Sequence, residues 1–423
     1  MESKLKWRIA LFSSLLFFLT AAPIFGIVSE ERKLNISIVG SVTSKNPLYN
    51  PFVVCYPAEV RQLLLNMAES PLQKENIQAQ LQSSPTKIED LLRLEIIREE
   101  EGLFYLNFPL FTEKDEALIM KVAEKYAKTL AENILSQKDR INELLQKYQP
   151  ASVSKEKLAF IAVGCLSLDF GALDALAENN YIVHQPEKPG GNRYVLSAAE
   201  VTEFSLKEIY WGGHSDSFDG IMFLTFGDHD PGTRRYGFPD ILWGLERTLS
   251  AGLPEQYKKE LAALLDDRVN HLVKQTGEIL LLMKKAPLNF EVIQKSSALE
   301  EEYLKFILAF LTKIHYVEQK GEAYALAVPV FGAADKAMLE EIQKIVQGEV
   351  LAWAGTYYEK IKDELKDISA VRHGVDYRET FNMLWHYFFG YTNKHLARSG
   401  FIYDTYQSPE GQKGYLPAVM VTK

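Results

Sequence analysis

A short alternating run that ends in a proline and a phenylalanine occurs twice in this chain. Residues 103–111 read LFYLNFPLF and precede a helical pattern opened by Asp115, and residues 323–331 read AYALAVPVF and precede one opened by Asp335. Alternating apolar residues predict a strand, and an acidic residue before an apolar periodic segment predicts a helix start. A fold that accommodates this sequence must therefore form the same strand-to-helix joint twice.

The match between the two regions extends well beyond this joint. Residues 63–72 correspond to residues 279–288 at an offset of 216 residues, and from Ile88 onward the offset is 220. Each joint is followed by a long apolar stripe with helical spacing, at 118–148 and at 339–365. Such a constant offset over a long stretch indicates an internal duplication. Two copies that pair with each other would be related by a pseudo-twofold axis.

Each copy is expected to begin with three short helices and to continue into the alternating run. In the first copy these helices are predicted from Ala58, around 75–81, and over 84–101, where Ser83 and Pro85 favour a helix start. Over residues 55–112 this order resembles the winged helix-turn-helix domains of the arsenic-repressor type. The resemblance implies an α+β class, mainly α with small β-hairpin wings. Tandem winged-helix-like units would be joined by long helices that form the dimer contact within one chain.

Composition shifts and the repeat predict five segments along the chain. They are a signal peptide or membrane anchor at 1–29, an extended linker at 30–54, a first winged-helix-like unit with its long helix and hairpin at 55–198, a connecting insert at 199–268, and a second such unit at 269–423. The first terminal hairpin is predicted to pair 181–183 with 194–196, and the second is predicted to turn at 409–411.

The N-terminus is apolar. Residues 9–28 carry no formal charge and follow Lys4, Lys6 and Arg8. Such a stretch is long enough to span a bilayer as a helix, and the preceding cations favour a cytoplasmic N-terminus. A signal peptide is the alternative, although no A-x-A cleavage site is present. Both interpretations place residues 30–423 outside the cytoplasm, whereas a wrongly assigned start codon would leave them inside it.

The charge and cysteine content exclude several classes of protein. A net charge of −9 opposes a broad basic surface for nucleic acid. Two cysteines, Cys55 and Cys165, are too few for a disulfide scaffold or a cysteine-built metal site. The sequence contains no P-loop and no Rossmann glycine pattern, so we expect no cofactor.

The expected recognition helices carry few cations. Those cations are Lys87, Arg93, Lys305 and Lys313, with Arg98 near the end of the first of these helices. Acidic residues outnumber basic ones, with a balance of −3 over 84–101 and −1 over 297–313. A helix that enters a major groove needs cations to offset phosphate repulsion. DNA binding is therefore disfavoured, even for a fold that resembles a DNA-binding family.

A possible metal site follows the predicted strand at 221–226. The candidate ligands are His214, Asp216, Asp228, His229 and Asp230. Imidazole and carboxylate groups at a strand end can hold a divalent metal in a hydrolase. Such enzymes need further ligand motifs that the sequence lacks, and a solvated turn before Pro-Gly uses the same residues.

Two further groups of residues are candidate sites. Arg234 and Arg235, with Trp211 nearby, could form an anion or peptide pocket, although a packed insert with aromatic anchors is the favoured interpretation. His386 and His395 lie nine residues apart on an apolar helix, a spacing that does not put them on one face. Both are expected to be core or boundary residues.

Together these patterns favour a non-enzymatic interaction or assembly protein that is membrane-anchored or exported. Its partner would be another protein or a second copy of the chain. The alternative is a DNA-binding transcriptional regulator whose two units form a built-in pseudo-dimer, which requires residues 30–423 in the cytoplasm. A third hypothesis is a metal-dependent hydrolase centred on residues 228–230.

Overall fold

The computed structural model describes most of the chain. The described residues are 32–148, 152–202, 206–228, 237–238, 241, 255–297, 299–409 and 412–422. Leu34–Lys423 form one compact unit, and a second unit, Met1–Lys33, falls almost entirely outside the described residues. The compact unit is mixed α+β with small sheets, which confirms the predicted class at that level. The predicted anchor or signal at 9–28 lies outside the described residues.

The first half of the described chain alternates short helices and strands before its long helices. Its elements are β1 (Leu34–Ser41), α1 (Pro51–Val54), α2 (Ala58–Glu69), β2 (Leu72–Gln73), α3 (Lys74–Gln80), α4 (Ile88–Arg93), β3 (Ile97–Glu100), β4 (Leu103–Leu106), β5 (Leu110–Phe111), α5 (Glu113–Ser136), α6 (Lys138–Leu145), α7 (Lys155–Ala159), a π-helix (Phe160–Gly171), α8 (Ala172–Glu178), β6 (Glu187–Lys188) and β7 (Asn192–Glu200). Short 3₁₀ turns lie at Pro47–Tyr49 and Pro189–Gly191.

The second half has a similar order of elements. They are β8 (Gly212–Phe218), β9 (Ile221–Gly227), α9 (Glu255–Met283), β10 (Leu288–Asn289), α10 (Phe290–Ser297), α11 (Glu301–Lys313), β11 (Val317–Lys320), β12 (Ala323–Leu326), β13 (Val330–Phe331), α12 (Lys336–Glu364), α13 (Ser369–Arg372), α14 (Tyr377–Arg398) and β14 (Tyr415–Val421). Short 3₁₀ turns lie at Ala333–Asp335 and Thr405–Gln407.

The sheets of the two halves pair their strands in the same order. β2–β4–β3 and β10–β12–β11 are small antiparallel sheets, with Leu72 opposite Phe104 in the first and Leu288 opposite Tyr324 in the second. β5 and β13 each pair in parallel with the last long strand of their half, β7 and β14. β7 also pairs with β1, whereas β14 pairs with β9, which in turn pairs with β8.

The strand-to-helix joint forms at both predicted places, but the wing strand is shorter than predicted. The alternating run 103–111 splits at Pro109, whose missing N–H interrupts the ladder and whose carbonyl accepts from the Ala198 N–H at 2.9 Å. Helix α5 then starts with a capping box, in which the Thr112 N–H donates to Asp115 Oδ2 at 2.9 Å. At the second joint the Gly332 N–H donates to Asp335 Oδ2 at 2.7 Å.

The predicted third helix at 84–101 is wrong at both ends, and its start lies at Ile88 rather than at the predicted Ser83 and Pro85. Only 88–93 is helical, because Glu95 adopts a left-handed φ of 56° and ends the turn. Residues 97–100 form strand β3, which pairs with β4. In the other half His315 has a φ of 59° directly after α11, so both recognition-type helices end in the same way.

The first predicted terminal hairpin turns at the expected residues, Pro189–Gly191, but there it joins β6 to β7, with Lys188 opposite Asn192, and the predicted strand at 181–183 is wrong. Residues 410–411 of the second predicted turn lie outside the described residues. Residues 181–183 form no strand, because the Tyr181 N–H donates back to the Leu176 carbonyl at 2.9 Å and closes the end of α8. Strand β7 pairs along its whole length with β1, from Leu34 opposite Glu200 onward. Strand β14 likewise uses β9 and β13 as partners.

The continuous helix from Lys155 to Glu178 confirms the predicted apolar helix at 158–177. It is long and apolar enough to cross a membrane, but 83% of its apolar window is buried inside the fold, as in a core helix. Its middle is the π-helix, in which Ser167 Oγ donates to the Ala162 carbonyl at 2.6 Å. Long π-helices are rare, since most occur as single turns.

The central helices of each half pack on helices of the other half. Helix α5 of the first half packs on α14 of the second, and α12 of the second half packs on the π-helix of the first. Trp353 Nε1 donates to the Tyr126 carbonyl at 3.0 Å, and Trp385 Nε1 donates to the Leu168 carbonyl at 2.9 Å. Both indoles are fully buried, so each hydrogen bond crosses between the halves in a dry core.

Each small antiparallel sheet is held by the other half. Arg98, on β3, donates to the Leu106 carbonyl at 2.7 Å and also to the carbonyl of His373 beside α13. Lys157, on α7, donates to the Ala327 carbonyl behind β12 at 2.8 Å. Arg98 and Lys157 thus donate to backbone carbonyls of the protein, whereas Lys320 on β11 is exposed and pairs with Glu318.

Two helical glycines, Gly390 and Gly348, test how closely α14 packs on the backbone at Ile209. A Cβ on Gly390 of α14 would lie 2.3 Å from the Ile209 carbonyl oxygen, whereas a Cβ on Gly348 of α12 would meet nothing within 4 Å. We expect Gly390→Ala to destabilise the protein by about 1–3 kcal/mol through overpacking. Gly348→Ala should stabilise it by up to about 1 kcal/mol through helix propensity.

Urea unfolding followed by circular dichroism would measure both changes. Equal stabilities of the two variants would contradict the close approach of α14 to the backbone at Ile209.

Candidate functional site

The four cations of the expected recognition helices mostly have a partner nearby in the chain. Lys87 Nζ donates to the Ser84 carbonyl at 2.8 Å, and Arg93 forms an ion pair with Asp90 at 2.8 Å. Lys305 pairs with Glu301 one turn away. Lys313 lies exposed at the end of α11. Three of the four predicted residues therefore already have an anionic or carbonyl partner.

The surface of α10 and α11 in the second half differs from the surface at the corresponding residues of the first half. On α10 and α11, Val292, Tyr303 and Phe306 are 44%, 38% and 50% exposed. Phe306 stacks parallel to Phe310 with ring centroids 6.4 Å apart. Exposed aromatic residues in a row are more typical of a protein-binding face than of a solvated helix.

In the first half, the residue that corresponds to Phe306 is buried next to α1. Thr86, 220 residues before Phe306, is 6% exposed and its Oγ1 donates to the Val54 carbonyl of α1 at 2.9 Å. Ser83, 220 residues before Tyr303, is exposed but polar. Among the described residues, the helix at this position carries an exposed apolar face only in the second half, whereas the first half exposes its apolar residues on α1, with Phe52 and Val53 at 42% and 49%.

The candidate metal ligands are spread along two strands. His214 and Asp216 lie on β8 with His214 Nε2 3.2 Å from Asp216 Oδ2, while Asp228 follows the end of β9. Asp228 is 2% exposed and its Oδ2 accepts from the Glu208 N–H at 2.9 Å. His229 and Asp230 lie outside the described residues, as do Arg234 and Arg235. No group of three potential ligands converges in the described part of the chain, and the metal site stays a prediction.

A large cleft lies where the two halves meet. Its volume is about 1070 Å³, which is the size of a small-molecule or peptide site. It is lined by Ser37, Ile38, Val39, Gly40, Ser41, Asp169, Phe170, Leu173, Asp174, His184, Gln185, Trp211, Gly212, Gly213, Ser215, Asp228, Met383 and His386. These residues come from β1, the π-helix and α8, β8, and α14, so only the folded pairing of the halves brings them together.

The π-helix places a carboxylate at one wall of the cleft. Asp169 lies near the end of the π-helix, is 5% exposed, and accepts from the Gly213 N–H at 2.8 Å. That hydrogen bond ties the π-helix to β8 on the neighbouring wall. On α8, Asp174 is paired with His184 at 3.1 Å and its side chain is 66% exposed.

His386 presents a neutral ring to the cleft. Its Nδ1 lies 3.0 Å from the Asn382 carbonyl, one turn earlier in α14, so the neutral ring carries its proton on Nδ1. Burial lowers the pKa of His386 to about 4, which keeps the imidazole uncharged at neutral pH. Its Nε2 is therefore an acceptor.

The buried carboxyl group of Glu116 accepts a hydrogen bond from Tyr387, whose ring contacts Trp211 in the lining of the cleft. The Trp211 ring meets Tyr387 edge-on at 4.5 Å, and Tyr387 donates to Glu116 Oε1 at 2.8 Å. Thr202 Oγ1 lies 3.3 Å from Glu116 Oε2. Burial raises the pKa of Glu116, since the carboxylate loses its hydration.

Both cysteines are buried, and neither lines the cleft. Burial raises the pKa of Cys55 to about 12, so its thiol stays protonated, and Cys165 is also fully buried. The cleft combines carboxylates, neutral imidazole and indole, which are groups that bind and orient a ligand. Sequence reasoning missed Asp169 as a site residue and assigned His386 to the core, because the cleft draws on four distant segments.

Comparison of the chain with protein-family models, with curated proteins and with solved structures found no match.

The buried acid gives a testable pH dependence. Because native Glu116 has a raised pKa, it keeps its proton to a higher pH than in the unfolded chain. The stability that protonated Glu116 contributes is therefore present at low pH and is lost as the pH rises through its raised pKa. Glu116→Gln keeps an acceptor for Tyr387 and removes the titration. We expect the Tm of this variant to match the wild type at pH 4 and to exceed it at pH 8.

Differential scanning fluorimetry across this pH range would measure the effect. Glu132→Gln, an exposed position on the same helix, serves as the control and should follow the wild type. A Tm for Glu116→Gln that is below the wild type at pH 8 would contradict the argument.

Proposed function

We propose that this chain is a non-enzymatic interaction protein built from two winged-helix-like units, duplicated within one chain and paired as an internal pseudo-dimer. The equivalent strand registers in the two halves support the duplication, with Ile97 opposite Leu106 and Val317 opposite Leu326. The order of three short helices and a small antiparallel sheet supports the winged-helix assignment.

The exchange of central helices supports the pseudo-dimer. Helices α5 and α6 run along α12, with Lys125 bonded to Glu364 at 2.6 Å and Arg140 bonded to Glu341 at 2.6 Å. Two separate winged-helix chains would form this kind of contact as a symmetric dimer. In one chain it fixes the two recognition-type helices relative to each other without a second protomer.

The apolar face on α11 carries the functional assignment. A DNA-reading helix offers cations to phosphate, but Lys305 is held by Glu301 while Phe306 and Tyr303 are exposed beside it. Tyr303, Phe306 and Phe310 follow the spacing of one helical ridge, which suits the apolar face of a partner helix. We therefore assign this face to the binding of an amphipathic helix from another protein.

The proposed location is outside the cytoplasm, on a membrane anchor or after export. The uncharged stretch at 9–28 supports this location. Protease added to intact cells should digest the chain beyond residue 30. Full protection in intact cells, with digestion after lysis, would place the folded unit inside the cell and would favour the transcriptional regulator.

Photo-crosslinking tests the docking face directly. Replacing Phe306 by a photoreactive benzoylphenylalanine should give a crosslinked adduct of one discrete mass in cells. The same replacement at Ser83, the exposed position of the first half, should give none. Adding Val292→Asp to the Phe306 probe should remove the adduct, because a charge on the apolar ridge costs binding. Equal crosslinking at both positions would refute a dedicated face on α11.

A DNA shift assay separates the proposal from its main competitor. The purified chain should not retain a random-sequence duplex, even at about 50 mM salt where electrostatic binding is strongest. Retention that weakens steeply with salt, and that disappears in the Lys305→Glu/Lys313→Glu variant, would establish DNA binding and overturn the proposal.

A further inference from the structure

Four exposed apolar residues occur close together near the start of the folded unit. Leu48 and Tyr56 are 48% and 76% exposed, and Phe52 and Val53, which lie between them on α1, are exposed as well. These four residues are called the α1 patch below. Large exposed apolar side chains that are grouped in this way are typical of a surface that contacts a membrane or another protein.

The fold holds the α1 patch in place from its inner side. Pro51 and Val54 of α1 are buried, and the Val54 carbonyl accepts from Thr86 Oγ1 at 2.9 Å. At the preceding 3₁₀ turn, the Tyr49 carbonyl accepts from Asn192 Nδ2 at 2.8 Å. The exposed apolar side chains therefore belong to a segment that is fixed to the rest of the first half.

The charged residues next to the α1 patch in the chain are mainly positive. Lys45 is exposed and is the only charged residue over 43–58. The Arg61 guanidinium lies 5.8 Å from the centre of the Tyr56 ring. Glu59, the nearest acid along the chain, is half-buried and accepts from Ser83 Oγ at 3.3 Å. A surface that carries negative charge would therefore meet cations beside the apolar residues.

The apolar face on α11 has acidic residues beside it. Glu300, Glu301 and Glu302 are exposed at the start of α11, where Glu301 pairs with Lys305. Anionic lipid headgroups attract Lys and Arg and repel carboxylates. A lipid surface therefore suits the α1 patch better than it suits the face on α11, which stays available for its protein partner.

The connection between the proposed anchor and the folded unit is short. Residues 29–33 separate the uncharged stretch at 9–28 from the start of β1 at Leu34. An extended chain spans about 3.5 Å per residue, so this connection reaches about 20 Å at most. With residues 9–28 in a bilayer, the folded unit stays close to the membrane surface, and an exposed apolar patch on it can reach the lipid.

We propose that the α1 patch is a membrane-contact surface, which inserts Phe52, Val53 and Tyr56 among the headgroups of the bilayer that holds residues 9–28. Aromatic residues with a polar end, such as Tyr56, are common at the level of lipid headgroups. Lys45 and Arg61 bind anionic headgroups beside them. This contact rests on the membrane anchor proposed above and uses no residue of the face on α11.

A dye attached within the α1 patch tests the contact. Val53→Cys is labelled with a fluorescent dye and compared with Val292→Cys, a similarly exposed valine on α10. Cys55 and Cys165 are buried, so neither takes the dye in the folded chain. The full-length chain is reconstituted into vesicles of phosphatidylcholine and phosphatidylglycerol that carry a lipid-attached quencher. The quencher should reduce the emission of the Val53 dye by about twofold or more relative to the Val292 dye.

Flotation of the same vesicles separates this contact from the anchor. A chain that floats with the vesicles, but whose Val53 dye is quenched no more than the Val292 dye, would overturn the contact alone and would leave the patch to a protein partner. A chain that remains in the dense fractions would overturn the anchor, and the contact with it.

Two charge reversals test the role of the cations. Lys45→Glu should lower the quenching of the Val53 dye by about half in the mixed vesicles and should have little effect in vesicles of phosphatidylcholine alone. Lys313→Glu makes the same charge change at the exposed end of α11 and should leave the quenching unchanged. Equal losses in both variants would show a general attraction of the chain to anionic lipid and would contradict a defined contact surface.

Discussion

Two buried indoles, Trp353 and Trp385, connect the halves of this protein. Each donates its N–H to a backbone carbonyl on a central helix of the other half. Burying a polar N–H without a partner is costly, so these hydrogen bonds favour one alignment of the helices in a dry core. That alignment determines where the small sheets and the cleft lie, because residues from both halves build or hold them. The α11 face flanks the contact between the halves and so depends on the same alignment.

The two halves keep one architecture but present different surfaces. In the first half, α1 covers the start of α4, and Thr86 is bonded beneath it. In the second half, the position of Thr86 is taken by Phe306, which is half exposed. The two halves thus share an order of elements and differ at this surface. Both halves contribute an edge strand to the cleft, since β1 and β8 each lie at the end of their sheet and line it.

Local features of the fold could be predicted from the sequence, and long-range ones could not. Asp115 and Asp335 mark both helix starts because a capping box depends only on residues three apart. The prediction of the terminal hairpins was wrong because β7 and β14 pair with strands far away in the chain, and no local sequence pattern encodes such pairing. The π-helix has no sequence signature, and without it the role of Asp169 in the cleft could not be foreseen.

The central helices of each half pack on the other half, so the two halves should unfold together. Hydrogen–deuterium exchange along a urea series measures this. Peptides from the π-helix and from α14 should lose protection together at one urea concentration, because neither helix is packed without the other half. Loss of protection in one helix while the other stays native would contradict the account, since it would show two halves that fold independently.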